Sequence, residues 1–301
     1  MTKTLKTLVF FGNERLVSGL QSTDAPILRA LIDSGYSIAA VVSHHSETKS
    51  RNNRRLEVAE LAKKHNIPVL LPNNPVEILD QLKSLNAAAA ILVAYGRIIP
   101  QSVIDVFPKG IINIHPSLLP KYRGSTPLES AIMNGDHQTG VSLMALNAAM
   151  DEGPIYAQRV VSVSGTENKF DLYTAIAQES VQLLLKELPN ILDGTLVSKP
   201  QASEGVSYSN QLSKNDSSLD TDAYTAIECE RRIRAFLGFP KTKLTVLGHS
   251  VVITKAHIAA EKQTALDIEC KDGSVLSIDE LIGPSGRTMN AKAFLNGYAA
   301  G

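Results

Sequence analysis

The chain of 301 residues contains no tryptophan, only two cysteines and no excess of charge, with 30 Lys and Arg against 30 Asp and Glu. Cys229 and Cys270 form no Cys-x-x-Cys pair, which excludes a disulfide framework and a thiolate zinc site and is typical of a reducing cytoplasm. No apolar run approaches the roughly 18 residues of a membrane-spanning helix. Balanced charge argues against a general nucleic-acid coat protein but allows local basic faces. The sequence is therefore that of a globular cytoplasmic protein, and its length predicts two domains.

Short apolar runs alternate with amphipathic stretches over the first 160 residues. Continuous apolar runs are typical of buried parallel strands, and the intervening stretches have helical spacing. The predicted strands are residues 7–11, 38–42, 67–71, 88–94 and 110–114, and the predicted helices are residues 26–34, 54–65 and 75–85. Strands separated by helices of this length predict right-handed crossovers and a Rossmann-like, mostly parallel α/β sheet.

The pattern changes in the second half of the chain. A long amphipathic helix is predicted over residues 168–192, followed by a stretch rich in Ser, Asn, Asp and Gly that is typical of a linker. A helix at 223–237 then precedes short strands with turns between them, which favour a small OB-like β-barrel. We therefore expect a catalytic domain with its linker over residues 1–205 and a smaller domain over residues 206–301.

One strand breaks the apolar pattern of the core. Over residues 110–115, Ile112 and Ile114 face one side of the sheet, whereas Asn113 and His115 face the other. Buried amide and imidazole groups are costly unless they have partners. Because ligands of open α/β sheets bind outside the carboxyl ends of the strands, Asn113 and His115 are candidate catalytic groups. The alternative is that both residues only support a loop.

Two later segments could reach the same edge of the sheet. Ser117, Leu118, Leu119 and Pro120 form a short apolar loop directly after the strand. Asp151 lies in a turn with Gly and Pro, where an Asp is usually only a turn residue. Its candidacy depends on whether this turn, which follows the next strand, returns over the same edge.

These segments resemble the motifs of the folate-dependent formyltransferases. The resemblance implies that Asn113, His115 and Asp151 are catalytic, and that the loop from Ser117 to Pro120 binds 10-formyltetrahydrofolate as a co-substrate. It rests on Gly110-x-x-Asn113-x-His115-x-Ser117-Leu-Leu-Pro120-x-x-Arg123-Gly124, on Thr139-Gly-Val141, on Asp151-x-Gly153-Pro154 and on Val93-Ala-Tyr-Gly96.

The last third of the chain narrows the resemblance to one branch of that family. Tyr208-x-x-x-Leu212-Ser-Lys214, Glu230-Arg-Arg-Ile-Arg-Ala-Phe236 and Leu281-Ile-x-Pro284-x-Gly286 look like the C-terminal domain of the members that formylate methionyl-tRNA. The resemblance implies a monomeric enzyme that transfers the formyl group to the α-amine of initiator methionyl-tRNA. A sugar-nucleotide N-formyltransferase, a 10-formyltetrahydrofolate hydrolase and a non-catalytic RNA-binding module stay open as alternatives.

The implied reaction assigns roles to the three candidate catalytic residues. Asn113 and His115 are expected to donate hydrogen bonds to the formyl oxygen, where a positioned donor contributes on the order of 3 kcal/mol. Asp151 would orient or charge His115 and, through water, help carry a proton from the attacking amine. We expect no metal ion, because the histidines show no ligand spacing with a carboxylate.

Two basic segments are candidates for tRNA contact. Arg51, Arg54 and Arg55 precede the second predicted helix, where positive charge opposes the helix dipole, so contact with phosphates explains them better than helix stability does. The second segment, residues 231–260, has six Lys and Arg and no acid. For it, tRNA contact and ordinary surface charge are equally good interpretations. The chain departs from the family at Gly12-Asn13-Glu14, where Gly-Thr-Pro is usual.

Overall fold

A central sheet with crossover helices forms the N-terminal half of the molecule. The computed structural model describes residues 7–44 and 56–298. The strands of this half are β1 (Thr7–Gly12), β2 (Ser37–Val42), β3 (Val69–Leu70), β4 (Ala89–Val93), β5 (Ile111–His115), β6 (Arg123–Gly124), β7 (Gln138–Ala145) and β8 (Ile155–Ser162). The helices are α1 (Pro26–Asp33), α2 (Glu57–Lys64), α3 (Leu79–Ser84), α4 (Gln101–Ile104), α5 (Pro127–Asn134) and α6 (Lys169–Asp193).

The order of strands in the central sheet is β3-β2-β1-β4-β5-β7-β8. The first five strands of this order run parallel, whereas β7 pairs antiparallel with both β5 and β8. The chain moves outwards from β1 in one direction to β3 and then returns to place β4 and β5 on the other side. This reversal is the position at which open α/β sheets bind ligands, and the predicted mostly parallel sheet is confirmed.

Both faces of this sheet are buried. Along β1, Leu8 and Phe10 join one hydrophobic cluster, which includes residues of α1 and α6, whereas Val9 and Phe11 join a second cluster on the opposite face. Burial on both faces explains why the sequence shows continuous apolar runs instead of alternation.

Three predicted elements of this half differ in length from the structure. β3 has two residues in place of five, because Pro68 has no backbone N–H to give to a ladder. The predicted helix at 75–85 is a 3₁₀ turn over Pro75–Ile78 followed by α3. The second helix begins at Glu57, and residues 54 and 55 of its predicted range lie outside the described residues.

The C-terminal part is built on a small antiparallel sheet. Its elements are β9 (Tyr208–Ser209), which pairs with β6, then α7 (Ala226–Ala235), β10 (Thr242–Val246), β11 (His249–Ala259), β12 (Asp267–Glu269), β13 (Val275–Ile282), β14 (Thr288–Asn290) and α8 (Ala291–Tyr298). The order is β10-β11-β13-β12, and β14 pairs with the end of β13 that β12 leaves free. Irregular register between β11 and β13 bends the sheet into a curled half-barrel, as expected for a small barrel domain.

The predicted linker lies against the N-terminal half. We call residues 199–210 the connecting segment. Lys199 pairs with Ile155 through two backbone hydrogen bonds, and β9 pairs in parallel with β6. The segment is therefore attached to the N-terminal half at both ends, to the central sheet through Lys199 and to β6 through β9, and the domain boundary near residue 205 stays a prediction. Within the described ranges, no helix has the length and apolar character required to cross a membrane.

Candidate active site

Strand β5 brings Asn113 and His115 to the carboxyl end of the sheet. Both side chains are almost fully buried, with Asn113 5% exposed and His115 4% exposed. Antiparallel pairing places Asn113 opposite Met144 and His115 opposite Ser142 on β7. The period-two alternation predicted from the sequence is therefore present, and the apolar Ile112 lies in the core on the other face.

Asp151 lies beside both residues. Nδ2 of Asn113 donates a hydrogen bond to Oδ1 of Asp151 at 3.3 Å, and the backbone N–H of Gly124 donates to Oδ2 at 2.9 Å. Nδ1 of His115 is 3.7 Å from the same Oδ2. The turn after β7 therefore returns over the edge, and the three predicted catalytic side chains form one cluster.

The second ring nitrogen of His115 has a fixed partner. Nε2 lies 2.9 Å from the backbone carbonyl oxygen of Tyr122. A carbonyl oxygen can only accept, so Nε2 carries a hydrogen, and the nitrogen that faces the carboxylate of Asp151 is Nδ1. The ring nitrogen that can gain or lose a proton is therefore Nδ1, which lies next to the carboxylate of Asp151.

The turn that carries Asp151 has an unusual backbone. Asp151 has φ +52°, a left-handed conformation that costs a non-glycine residue roughly 1–3 kcal/mol unless its surroundings hold it. Two residues later, a Cβ on Gly153 would lie 1.8 Å from the carbonyl oxygen of Ala145, so only glycine lets the turn approach β7 this closely. Glycine at position 153 is thus a requirement of the backbone.

Side chains from two neighbouring strands hold the predicted folate-binding loop. Oγ of Ser142 accepts from the N–H of Leu119 at 3.0 Å and donates to the carbonyl of Ser117 at 2.7 Å. Nε2 of Gln158 donates to the carbonyl of Leu119 at 2.8 Å. Ser117 and Leu119 are buried, whereas Leu118 and Pro120 are half-buried. The loop is therefore rigid, and its partly exposed side chains are Leu118 and Pro120.

Sequence reasoning missed several residues that support this site. Gln201 of the connecting segment contacts the Asp151 turn and Arg123, and Tyr208 contacts Arg123 and Glu152. Tyr208 belongs to a motif that resembles the family's C-terminal domain, but that motif carries no sign of contact with the site. Gln201 stands in a polar stretch without periodicity, so no pattern identifies it.

Only one of the two predicted tRNA-binding segments lies within the described residues. Arg51, Arg54 and Arg55 lie outside the described residues. In the second segment, Arg234 pairs with Glu230 at 2.6 Å, and the guanidinium of Arg232 stacks over the ring of Tyr224 at 3.9 Å. The lysines of this segment are exposed, namely Lys241, Lys243 and Lys255. Arg232 and Arg234 therefore have local partners in the structure, whereas the three lysines face solvent.

Two cavities lie away from these residues. One, of about 270 Å³, is lined by residues of α5 and α7, and another, of about 480 Å³, lies between α1 and α6. Neither is lined by Asn113, His115 or Asp151. In the described part of the chain, His, Cys, Asp and Glu form no group of three or more that could hold a metal ion.

Comparison with known domain families gives two matches along the chain. The formyl transferase family matches residues 15–188, and the C-terminal domain of formyl transferases matches residues 211–299. The first match includes all three candidate catalytic residues, and the two matches leave the connecting segment between them.

Full-length relatives give the same result. The chain is 34% identical to the methionyl-tRNA formyltransferase of Pseudoalteromonas translucida over 88% of this chain and 83% of that protein. It is 32% identical to the methionyl-tRNA formyltransferase of Lactobacillus acidophilus over 94% of each. The N-formyltransferase of Helicobacter canadensis, solved with folinic acid and dTDP-3-aminofucose, has the same fold, with a TM-score of 0.68. The superposition covers 91% of this chain and 98% of that one, and the two sequences are 17% identical. The chain belongs to the formyl transferase family, and in sequence it matches methionyl-tRNA formyltransferases over both domains.

Proposed function

We propose that this protein transfers the formyl group of 10-formyltetrahydrofolate to the α-amine of initiator methionyl-tRNA. The observation that carries the proposal is the convergence of Asn113, His115 and Asp151 at the carboxyl end of β5. The carboxylate of Asp151 lies 3.3 Å from Nδ2 of Asn113 and 3.7 Å from Nδ1 of His115. Family membership supports the formyl chemistry, and the relatives named above support the acceptor. We also propose that the enzyme acts as a monomer in the cytoplasm.

Asn113 is the proposed donor to the formyl oxygen. When the amine attacks the formyl carbon, negative charge develops on that oxygen, and a fixed donor lowers the barrier by on the order of 3 kcal/mol. Nδ2 has two hydrogens. Among the described residues its one hydrogen bond is to Asp151, which fixes the amide plane and leaves the second hydrogen for the substrate.

His115 and Asp151 are proposed to manage the proton. The attacking amine must lose a proton, and the leaving nitrogen of the folate must gain one. Nδ1 of His115 faces the carboxylate of Asp151 at 3.7 Å, a distance that a small shift or one water can bridge. With Nε2 held by the Tyr122 carbonyl, the ring can exchange a proton at Nδ1 without turning.

The loop from Ser117 to Pro120 is the proposed folate-binding segment. 10-Formyltetrahydrofolate supplies the formyl group on N10, and its ring system needs an apolar wall near the catalytic cluster. The half-buried Leu118 packs against Gly140 of β7, where a Cβ would lie 2.6 Å from its Cδ2. Ser142 and Gln158 hold the loop backbone, so this apolar surface is formed before substrate binds.

An acceptor panel tests the proposed function. The purified protein is incubated with 10-formyltetrahydrofolate and offered charged initiator tRNA, deacylated tRNA, a dTDP-amino sugar or no acceptor. We expect formyl transfer only to the charged tRNA. Transfer to the sugar nucleotide, or formate release without an acceptor, would support the corresponding alternative, and tRNA binding with no turnover would indicate a binding module.

The basic segment with Arg51, Arg54 and Arg55 is proposed to contact the acceptor tRNA. Replacing Arg51, Arg54 and Arg55 with Gln should raise KM for charged tRNA and reduce its salt dependence, because each lost phosphate contact removes counterion release. Folate binding should not change. An unchanged KM for tRNA at several salt concentrations would reject this segment as a tRNA contact.

A further inference from the structure

Gln201 links the connecting segment to the catalytic turn. Its Nε2 donates to the backbone carbonyl oxygen of Asp151 at 2.7 Å and to that of Gly153 at 2.9 Å. Its Oε1 accepts from Nε of Arg123 at 3.1 Å and from Nη2 at 2.9 Å. Both hydrogens of the amide nitrogen and both lone pairs of its oxygen are used.

The partners determine which way this amide points. Two carbonyl oxygens can only accept, and a guanidinium can only donate, so the nitrogen must face the turn and the oxygen must face Arg123. A carboxylate of the same size could keep the contacts with Arg123 but would place oxygen against two carbonyl oxygens. The site therefore requires glutamine in particular.

The same segment also fixes the peptide N–H that binds the carboxylate of Asp151. β9 pairs with β6, and Gly124 of β6 donates the hydrogen bond to Oδ2 of Asp151. Oγ of Ser209 donates to the carbonyl of Arg123 at 3.1 Å. The connecting segment thus holds the backbone of Asp151 and also the peptide that binds its carboxylate.

We propose that Gln201 is a positioning residue that keeps the strained Asp151 turn in its catalytic geometry, so that the carboxylate lies against Asn113 and His115. Asp151 has a left-handed φ of +52°, which persists only when neighbouring groups hold it. The two hydrogen bonds from Gln201 hold the backbone at residues 151 and 153. Gln201 is too far along the chain from Asp151, by 50 residues, for local sequence to impose the contact.

The inference rests on the proposed function, and three variants of the full-length protein test it. Gln201→Leu removes all four hydrogen bonds, whereas Gln201→Glu keeps an acceptor for Arg123 and loses both donors to the turn. Glu204→Gln is the matched control, because Glu204 is exposed on the same segment. We expect kcat with 10-formyltetrahydrofolate and methionyl-tRNA to fall about 30- to 100-fold in both Gln201 variants, as for a misplaced catalytic group. Both KM values should stay within about threefold, since substrate contacts are intact.

A double-mutant cycle separates positioning from a general structural role. In an Asp151→Asn background, Gln201→Leu should cost less than about threefold, because the group that it positions is already lost. Equal costs in both backgrounds, or a Gln201→Glu variant with wild-type kcat, would overturn the inference.

Hydrogen exchange gives a readout that does not need activity. Peptides that cover residues 120–126 and 149–154 should exchange faster in Gln201→Leu than in the wild type or in Glu204→Gln, with other peptides unchanged. If the wild type formylates no acceptor, the proposed function fails, and exchange alone then decides the role of Gln201. Unchanged protection of both peptides in Gln201→Leu would overturn the positioning role of Gln201.

Discussion

At the scale of single residues, Asp151 depends on distant parts of the chain. Its carboxylate accepts from Asn113, 38 residues away, and from Gly124, 27 residues away. Strand alternation and the carboxyl-edge rule identified Asn113 and His115. Asp151 was a candidate only through the resemblance to the family and the possibility that its turn returns over the same edge. Sequence patterns could not identify Gln201 or the Tyr122 carbonyl, because long-range hydrogen bonds to backbone groups leave no periodic signal in the sequence.

Replacing Asp151 or His115 tests this cluster directly. Asp151→Asn keeps the size of the side chain but removes the negative charge that faces Nδ1 of His115, and His115→Ala removes the proton carrier. We expect kcat to fall about 10²- to 10⁴-fold in each variant. The dissociation constant of tetrahydrofolate, measured by calorimetry, should stay close to the wild-type value. A near-wild-type turnover rate in either variant would remove that residue from the catalytic group.

At the scale of single elements, α1 begins without a capping side chain of its own. The residue before it is Ala25, which has no polar group, and Glu14 supplies the missing acceptor. Its two carboxylate oxygens accept from the N–H groups of Ile27 and Leu28, each at 2.8 Å. Glu14 occupies the position where this chain departs from the family motif, so the departure has a structural role.

Glu14 makes stability depend on pH in a direction that can be measured. Burial raises the pKa of Glu14 from 4.5 to about 7, although the hydrogen bonds from Ile27 and Leu28 oppose this shift. The protonated carboxyl is therefore favoured by folding, and this contribution is full below pH 4.5 and is lost as pH rises through about 7. The shift corresponds to roughly 3 kcal/mol.

The Glu14→Gln variant isolates this effect. We expect the free energy of unfolding of the wild type, relative to Glu14→Gln, to fall by up to about 3 kcal/mol between pH 4.5 and pH 8, as measured by urea titrations. Glu204→Gln is a suitable control, because it is the same substitution at an exposed position. A difference between wild type and Glu14→Gln that does not vary with pH would contradict the assignment.

The elements that follow from apolar periodicity were predicted well, and the others were not. β1, β2 and β4 are mainly apolar runs, β5 combines apolar residues with Asn113 and His115, and α6 has both a capping box at Asn168 and Gly194 at its end. By contrast, α4, β6, β9, β14 and α8 were missed. All of them except α8 have two to four residues, and β6 and β9 pair where the connecting segment lies beside Arg123. Tertiary contacts determine such elements.

At the scale of the whole molecule, a buried polar cluster around Lys169 links the two halves. Nζ of Lys169, at the start of α6, lies 3.6 Å from Oε1 of Glu129 on α5, and both side chains are fully buried. The same Nζ donates to Oγ of Ser18 at 2.9 Å and to the carbonyl oxygen of Phe239 at 2.7 Å. Phe239 lies between α7 and β10, so the cluster attaches the C-terminal half to the N-terminal sheet.

The charge state of this cluster follows from its burial. Burial lowers the pKa of Lys169 to about 8, and Glu129 opposes part of that shift, so the ammonium is mostly charged at pH 7. Nothing in the sequence identifies this pair, because an isolated Lys and Glu separated by 40 positions usually lie on the surface. Because both groups are fully buried, water cannot compensate either charge if its partner is removed.

Removing the positive charge should therefore destabilise the whole molecule. Lys169→Met leaves Glu129 buried without a counterion, which costs about 3–5 kcal/mol, whereas Lys186→Met, at an exposed position of the same helix, should cost less than about 0.5 kcal/mol. Urea unfolding can be followed by far-UV circular dichroism, since the chain has no tryptophan. The double variant Lys169→Met/Glu129→Gln should recover most of the loss, because replacing both partners removes the unpaired charge. If the double variant is as unstable as the sum of its single variants, Lys169 and Glu129 are not coupled, and the instability of Lys169→Met does not come from an unpaired Glu129.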